Sequence, residues 1–317
     1  MIRHLKGEAM IKVFLIVSVI YATLFAASPK ITPNEVYGQV ELIRKHVHFL
    51  LEHYGVKHND KKINSEVSQI TTQMRPRNVW QKSYEVLVKI NIMRKQHNLP
   101  IVEPVNMAPV LNLNPDLVYE QTQRVLTELK IFEFRNGIKP PYFQVNKYNS
   151  KVPLDVFKGF SAVSLALDIL NRSSFTPSYV FGENMRVFDD ISRIIQKLGI
   201  EDDTIPPEKN EQATPKDTFS VGLKTLEKIK LLQILAGIKY VDFSTYKKEF
   251  PTPSDVFSIT QMIIAELQTL KAYLGINYVT PSAKRYYGKT PAEVHQLMRW
   301  NLRKLSLIKT ITVQRGY

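Results

Sequence analysis

The sequence predicts an all-α protein of eight long helices, and three features of the chain lead to this prediction. A proline with helix-start signals around it recurs along the 317 residues, apolar residues follow it at helical spacing, and a glycine closes most units. Four of the seven intervals between these prolines are 38 residues long, which indicates an internal repeat. The prolines are Pro33, Pro76, Pro115, Pro153, Pro177, Pro215, Pro253 and Pro291.

Each unit begins with the signals of a helix N-terminus. In the segment TPSDVF, Thr252 is suited to cap the helix and Asp255 occupies the third helical position. Pro253 suits the first turn because its missing N–H would have no partner there. Apolar residues at 3, 7, 10, 14, 17 and 18 positions after the proline form one stripe, and a glycine ends five units. Each unit therefore predicts one helix of about six turns, roughly 33 Å long.

A row of aromatic residues stands four positions after the prolines, with His295 as the exception. We expect this row to close one end of the core, as repeated aromatic residues at helical spacing usually do. The alternative is a ligand-binding layer near the helix N-termini. The row consists of Tyr37, Trp80, Tyr119, Phe157, Phe181, Phe219 and Phe257.

The interval of 24 residues between Pro153 and Pro177 divides the repeat into two groups of four helices. We interpret residues 29–172 and 173–317 as two four-helix halves that arose by duplication. Elsewhere, 16 residues run from the glycine of one unit to the threonine of the next, as in 199–214. Such a connection spans about 53 Å when extended, enough to return along a whole helix.

The long connections favour helices that run parallel within a half, joined by irregular return segments. An up-down bundle with long loops is the alternative, although bundle hairpins usually need only about 2–8 residues. The short connection between the fourth and fifth helices predicts that these two run in opposite directions.

The N-terminal residues 1–28 predict a cleaved secretory signal peptide. Lys12 precedes an apolar stretch over 13–25, and small residues follow at 26–28. The alternative is a retained membrane anchor, but the stretch is shorter than the roughly 20 residues of a spanning helix. We therefore expect a periplasmic or secreted protein with no further transmembrane segment.

Composition narrows the classes of function. The chain has no cysteine, which excludes disulfides, thiolate metal sites and cysteine nucleophiles. The net charge of +14 favours acidic partners such as an acidic polymer or an anionic membrane surface, and solubility alone is the alternative. No glycine-rich phosphate loop, GxSxG or HExxH motif is present, so we expect no enzymatic activity.

The histidines of the first unit do not predict a metal site. His48 and Glu52 share one helix face, whereas His46 and His53 share another. A metal ion needs three or four converging ligands, and each face offers two. We therefore expect no metal and no cofactor.

Asp189 and Asp190 stand next to each other in an otherwise apolar stretch. We expect both aspartates to lie at the surface.

The return segments carry the candidate binding residues, because they interleave basic residues with tyrosines. Such a mixture can hold a polyanion and stack on exposed bases or sugar rings. The alternative is that the tyrosines lie flat on the helices while the lysines are solvated. The candidates are Tyr142, Lys147, Tyr148, Tyr246, Lys247, Lys248, Lys284, Arg285, Tyr286 and Tyr287.

Together these features predict an exported helical-repeat binding or scaffold protein of a bacterial envelope, with envelope proteins as partners. One alternative is a polyanion binder that uses the return segments for a glycan, an anionic lipid or a nucleic acid. Another is a carrier or sensor that holds a small ligand in the interior of the helix bundle.

Overall fold

The computed structural model describes residues 30–172 and 175–309, so the predicted signal peptide at 1–28 lies outside it. Within these residues the chain forms nine α-helices, one short 3₁₀ turn and no strand, which confirms the all-α prediction. The helices are α1 (Pro33–His53), α2 (Asp60–Ser68), α3 (Pro76–Gln96), α4 (Pro115–Arg135), α5 (Pro153–Leu170), α6 (Pro177–Lys197), α7 (Pro215–Leu235), α8 (Pro253–Tyr273) and α9 (Pro291–Ser306).

Each of the eight repeat prolines is the first residue of a long helix. At the start of α8, the Thr252 side chain accepts from the backbone N–H of Asp255, whose carboxylate in turn accepts from the Thr252 N–H at 2.8 Å. Helix α2 was not predicted. It is a short additional helix that begins after Asn59, whose side chain accepts from the backbone N–H of Lys62.

The ends of the helices also follow the repeat. Gly199 adopts a φ of 65° after α6, the left-handed conformation that glycine enters without steric cost. The corresponding residue after α3 is Asn98, which adopts a φ of 56°. Asparagine is among the few other residues that tolerate this region, so the helix stop is kept there without glycine.

The long helices form two rings of four. In the first ring α1 packs against α4 and α5, and α3 packs against the same two helices. In the second ring α6 and α7 each pack against both α8 and α9. The order around each ring is therefore first, third, second and fourth helix, and the first helix lies diagonally across from the second.

The helices within each ring run parallel. In the second ring the prolines Pro177, Pro215, Pro253 and Pro291 surround one small cavity, so all four helices start at the same end. In the first ring the C-terminal ends of the four helices lie together, which shows that these helices also run parallel. The Tyr54 ring lies 5.4 Å from that of His97, which lies 5.0 Å from that of Phe132, and a cavity beside Tyr54 is lined by Leu170.

Return segments cross the first helix of each ring at corresponding positions. A Cβ atom on Gly38 of α1 would lie 3.1 Å from the carbonyl oxygen of Asn146, and one on Gly182 of α6 would lie 2.9 Å from that of Lys284. Both glycines are the fifth residue after the proline that starts their helix. Glycine at these positions allows backbone to lie directly on the helix.

The two rings pack through α3 and α8, which run in opposite directions. Arg77 at the start of α3 contacts Glu266 in the second half of α8, whereas Glu85, further along α3, contacts Ser258 near the start of α8. Because helices are parallel within each ring, α5 and α6 also run in opposite directions, as the short connection between them predicts.

Candidate functional site

A cleft of about 420 Å³ lies between the two rings. It is bounded by α3 of the first ring, by the first turns of α6 and by the return segment 282–288, which leads to α9. This volume falls within the range of about 300–1,000 Å³ that is usual for small-molecule sites. Because both rings contribute walls, the cleft exists only when they are packed together.

The rim of the cleft is basic and aromatic. Lys95 on α3 faces the segment that carries Lys284 and Arg285, and all three side chains are exposed. The phenol rings of Tyr179 and Tyr287 lie beside them and are 38% and 78% exposed. The rim thus offers cationic groups together with flat apolar faces on which a ring can stack.

Tyr84 and Glu183 form the floor of the cleft, and the buried Arg186 lies behind them. The Tyr84 hydroxyl donates to Glu183 Oε1 at 3.2 Å, and Arg186 Nη1 donates to Glu183 Oε2 at 2.7 Å. The Arg186 guanidinium also lies over the Tyr84 ring, 5.1 Å from its centre. Each oxygen of Glu183 therefore accepts a hydrogen bond, and the Arg186 guanidinium compensates the negative charge of the carboxylate.

The pKa values of the floor agree with this pairing. Burial raises the pKa of Tyr84, so its hydroxyl remains a donor. Burial alone would lower the pKa of Arg186, but Glu183 outweighs this effect and raises it. Because the floor is an internally neutralised ion pair, the rim cations give the cleft a net positive charge.

The cleft contains four of the ten predicted binding residues, namely Lys284, Arg285, Tyr286 and Tyr287. Tyr286 is half-buried and packs edge-on against Phe181, with ring centres 5.0 Å apart. It therefore supports the wall, while its neighbours on either side reach the rim.

The other predicted residues lie on two other return segments. Tyr148 packs edge-on against Tyr37 at 4.8 Å, whereas Tyr142 and Lys147 are exposed. Lys247 is also exposed. These positions do not line the cleft, so the ten candidates do not form one surface.

Two of the predicted binding residues require a correction. Tyr246 is buried among Phe219 and Phe243, so its ring has no face to offer a polyanion. Lys248 is paired with Glu66 at 2.7 Å and with Asp255 at 3.4 Å, so its charge is already compensated. Both side chains hold the return segment against the helices.

The aromatic row does not form a single layer. Tyr37, Phe181 and Phe219 each pack against a tyrosine of a return segment. In the second ring, the residues that meet on the axis at the N-terminal end are the prolines and the residues three positions later, such as Val180 and Val256. The row therefore fastens return segments to helices as well as filling the core.

A group of buried polar residues between the rings was not foreseen from the sequence. Glu85 accepts hydrogen bonds from Lys82 at 2.7 Å, from Ser164 at 2.6 Å and from Ser258 at 2.7 Å. Lys89 joins the group through Ser164 at 2.8 Å. Burial alone would raise the pKa of Glu85, but the two lysines outweigh it and hold the pKa below its ordinary value.

The cavity beside this group measures about 30 Å³, which is the space of a single water molecule. It is too small for a substrate. The hydrogen-bond donors and acceptors of the polar group pair with one another, so the group serves to join the rings. No spacing in the sequence marks it, because its members come from α3, α5 and α8.

The pair Asp189 and Asp190 is also placed differently from the prediction. Asp189 is partly exposed, but Asp190 is fully buried and accepts from Lys271 Nζ at 2.6 Å. The Asp190 carboxylate also contacts Thr280 and Gln268. It lies inside the second ring because Lys271 compensates its charge.

The histidines are divided between two environments. His46 is buried, with Nδ1 2.8 Å from Glu133 Oε1. His48 meets two residues that lie beyond α1, since its Nε2 is 3.4 Å from Asp60 Oδ1 and its ring centre is 5.4 Å from that of His58. Counting ligands along the faces of α1 alone missed this cluster. The spacing of His58 and Asp60, two residues apart just after the helix, is the signal that was available.

In the part of the chain that the structure describes, no helix has both the length and the apolar character needed to cross a membrane. Comparison of the chain with protein-family models, with curated proteins and with solved structures returned no match.

Proposed function

We propose that the protein is a binding protein whose inter-ring cleft takes a small anionic molecule with an apolar or ring-shaped body. The observation that carries this proposal is a cleft of about 420 Å³ in which Lys95, Lys284 and Arg285 stand beside exposed tyrosine rings. A cation and an aromatic face next to each other recognise a molecule that combines negative charge with an apolar surface.

The expected mode of binding assigns separate tasks to the lining residues. Arg285 and Lys284 contact the anionic group, since the planar guanidinium can pair with a carboxylate, sulfonate or phosphate through two hydrogen bonds. Tyr179 and Tyr287 flank the apolar body. Burial raises the pKa of Tyr179, so its hydroxyl stays neutral at physiological pH and does not repel the anion.

A role in binding rather than catalysis is favoured by the state of Glu183. This carboxylate lines the cleft, but Tyr84 and Arg186 already donate to its two oxygens. A carboxylate that already accepts from two donors within the protein, one of them a guanidinium, is less available to take a proton from a substrate. The predicted signal peptide further supports an exported protein of the bacterial envelope.

A second candidate function is a scaffold that binds an envelope protein. It is favoured by large apolar side chains that the return segments expose next to lysines. Tyr142 is 92% exposed and Phe250 is 79% exposed, and both stand near basic residues such as Lys139 and Lys247. Aromatic residues are enriched in protein interfaces and hot spots. An acidic polymer or an anionic membrane surface is the alternative partner for these segments.

The cleft proposal is tested with two fluorescent probes of similar shape. Anilinonaphthalene sulfonate carries a negative charge, and N-phenylnaphthylamine is its neutral counterpart. We expect the purified mature chain to bind the sulfonate saturably with one site and to bind the neutral probe at least about tenfold more weakly, a difference of roughly 1.4 kcal/mol. Arg285→Gln should abolish this preference, and Tyr287→Ala should weaken both probes.

The matched controls are Lys247→Gln and Tyr142→Ala, which remove an exposed cation and an exposed tyrosine outside the cleft. Both variants should bind the probes as the wild type does. Equal binding of the two probes, or equal loss in the control variants, would contradict the cleft proposal. Loss confined to the Tyr142 variant would favour the scaffold function of the return segments.

A further inference from the structure

The side chains of His48, His58 and Asp60 converge where the C-terminal part of α1 meets the start of α2. One ligand atom of each residue lies within 4.8 Å of the other two. Asp60 Oδ1 is 3.4 Å from His48 Nε2 and 3.9 Å from His58 Nε2. These distances exceed those of ordinary N–H···O hydrogen bonds, which are about 2.7–3.2 Å.

The separations agree with those of ligands around a metal ion. Bonds of about 2.0–2.2 Å from zinc to nitrogen or oxygen in a tetrahedron place neighbouring ligand atoms roughly 3.3–3.6 Å apart. The distance between His48 and Asp60 already has this value. The His58 nitrogen, at 3.9 Å from Asp60 Oδ1, is slightly farther away and would move closer when the ion binds.

Asp60 Oδ1 provides a second, independent observation. Among the described residues, no group donates a hydrogen bond to this shielded oxygen, although the Asp60 side chain as a whole is 44% exposed. A shielded carboxylate oxygen without a partner carries a free-energy cost, because the loss of its contact with water is not offset by a hydrogen bond. A cation between this oxygen and the two imidazoles would remove that cost.

The three ligands are held in place by their surroundings. His58 Nδ1 lies 3.3 Å from the carbonyl oxygen of Val56, which can only accept a hydrogen bond, so Nδ1 carries the hydrogen and the lone pair of Nε2, on the side of Asp60, is left for a metal ion. Asp60 is the first residue of α2, and Asn59 caps that helix. His48 is on the long helix α1, so each ligand is fixed by a different structural element.

We propose that His48, His58 and Asp60 bind one divalent transition-metal ion, with zinc as the reference ion and water completing the coordination. Two imidazoles and a single carboxylate favour zinc, cobalt, nickel or copper over magnesium and calcium, which prefer oxygen ligands. The ion would fasten α2 and the segment 54–60 to α1. This site does not depend on the proposed function of the cleft, because the two share no residue.

The test uses the mature chain without an affinity tag, because a histidine tag would itself bind the metal. Zinc is titrated by calorimetry, and cobalt is titrated by its visible absorption, which is intense in tetrahedral sites. We expect one equivalent of each metal, and a rise in Tm with zinc that depends on its concentration. Asp60→Asn and His58→Gln should each weaken binding by at least about 100-fold, the upper range for the loss of supporting groups of metal sites.

His53→Gln and His97→Gln are the matched controls, since both histidines lie outside the cluster. Both variants should therefore bind the metal ion as tightly as the wild type does. Circular dichroism of each variant in the metal-free state verifies that the fold is retained. Asp60→Asn carries the test if a histidine variant fails to fold, because it keeps the size of the side chain. The proposal would be overturned by the absence of stoichiometric binding, or by binding that survives in Asp60→Asn but is lost in a control.

Discussion

Arg77 on α3 and Glu266 on α8 form a bidentate ion pair that joins the two rings. Arg77 Nε donates to Oε1 at 2.9 Å, and Nη2 donates to Oε2 at 2.7 Å. Asn78 and Gln233 donate to the same carboxylate at 2.9 and 2.8 Å. Both charges are buried, so each depends on the other for compensation.

The first prediction is that Glu266→Ala destabilises the protein by about 3–5 kcal/mol, because it leaves the Arg77 guanidinium buried without a counter-charge. Urea unfolding measures this change. Asp189→Ala is the control, since Asp189 pairs with Arg193 on the surface and its loss should cost less than about 1 kcal/mol. Similar costs for the two variants would show that the pair between the rings is not essential.

The second prediction concerns Glu85, the acceptor for Lys82, Ser164 and Ser258. Glu85→Gln leaves Lys82 buried with no carboxylate within 3 Å, so we expect a loss of about 3–5 kcal/mol. Glu66→Gln at the edge of the same cavity is the control, because Glu66 is partly exposed and should contribute less than about 1 kcal/mol. A stability of Glu85→Gln within error of the wild type would contradict the prediction.

The third prediction is a pH dependence that originates at the start of α9. Donation from Lys289 Nζ and from the backbone N–H of Thr290 lowers the pKa of Glu293 to about 2. An unfolded glutamate has a pKa of about 4.3. Because the folded value is the lower one, this carboxylate stabilises the fold fully above about pH 4.3 and loses its contribution as the pH falls toward about 2.

Thermal unfolding of the wild type and of Glu293→Gln between about pH 7 and pH 3 tests this dependence. Near pH 7 the wild type should be more stable by about 1 kcal/mol, a small value because Glu293 is partly exposed. The difference should shrink as the solution becomes acidic. Glu201→Gln, in the exposed connection after α6, is the control. A difference that stays constant over this range would disprove the assignment.

The fourth prediction is that Gly182→Ala displaces the return segment that forms one wall of the cleft. The added methyl group would lie 2.9 Å from the backbone oxygen of Lys284, which cannot move without its segment. Overpacking of this kind costs about 1–3 kcal/mol. We expect a lower Tm and weaker binding of anilinonaphthalene sulfonate.

Gly222→Ala provides the comparison, since the atoms nearest to its methyl group would belong to the side chain of Ile259, which does not line the cleft. Ile259 is buried and β-branched, so its side chain adjusts poorly and this variant should also lose stability, but away from the walls of the cleft. Probe binding by this variant should therefore equal that of the wild type. Unchanged binding in Gly182→Ala would mean that the segment moves without closing or opening the cleft.

Local features of the sequence were sufficient to predict the helices. The starts at Pro33 and Pro253 depend on capping and on the fixed φ of proline, which act within a few residues. Helix α2 was missed because it contains nine residues and starts after Asn59 without the repeat pattern. The parallel arrangement within a ring could be predicted from the length of the return segments. Each segment is long enough to run back along a whole helix, so the next helix can start at the same end as the previous one.

The cleft and the ion pairs could be predicted only in part. Lys284 and Arg285 stood out as a basic segment with tyrosines, but their partner Lys95 lies on a helix of the other ring. Glu183 and Glu266 appear in the sequence as ordinary polar residues of helices. Their burial depends on how two rings meet, and this information is not contained in any single repeat.

The arrangement of the rings has a consequence for the kinetics of folding. Helix α1 packs against α4 and α5. Among the long helices within residues 30–172 and 175–309, only α4 and α8 pack against the long helix that precedes them in the chain. Contacts between helices far apart in sequence raise the contact order, and closing such long loops slows folding. We therefore expect each ring to form late, when its fourth helix arrives, and more slowly than a helical bundle of the same size built from hairpins.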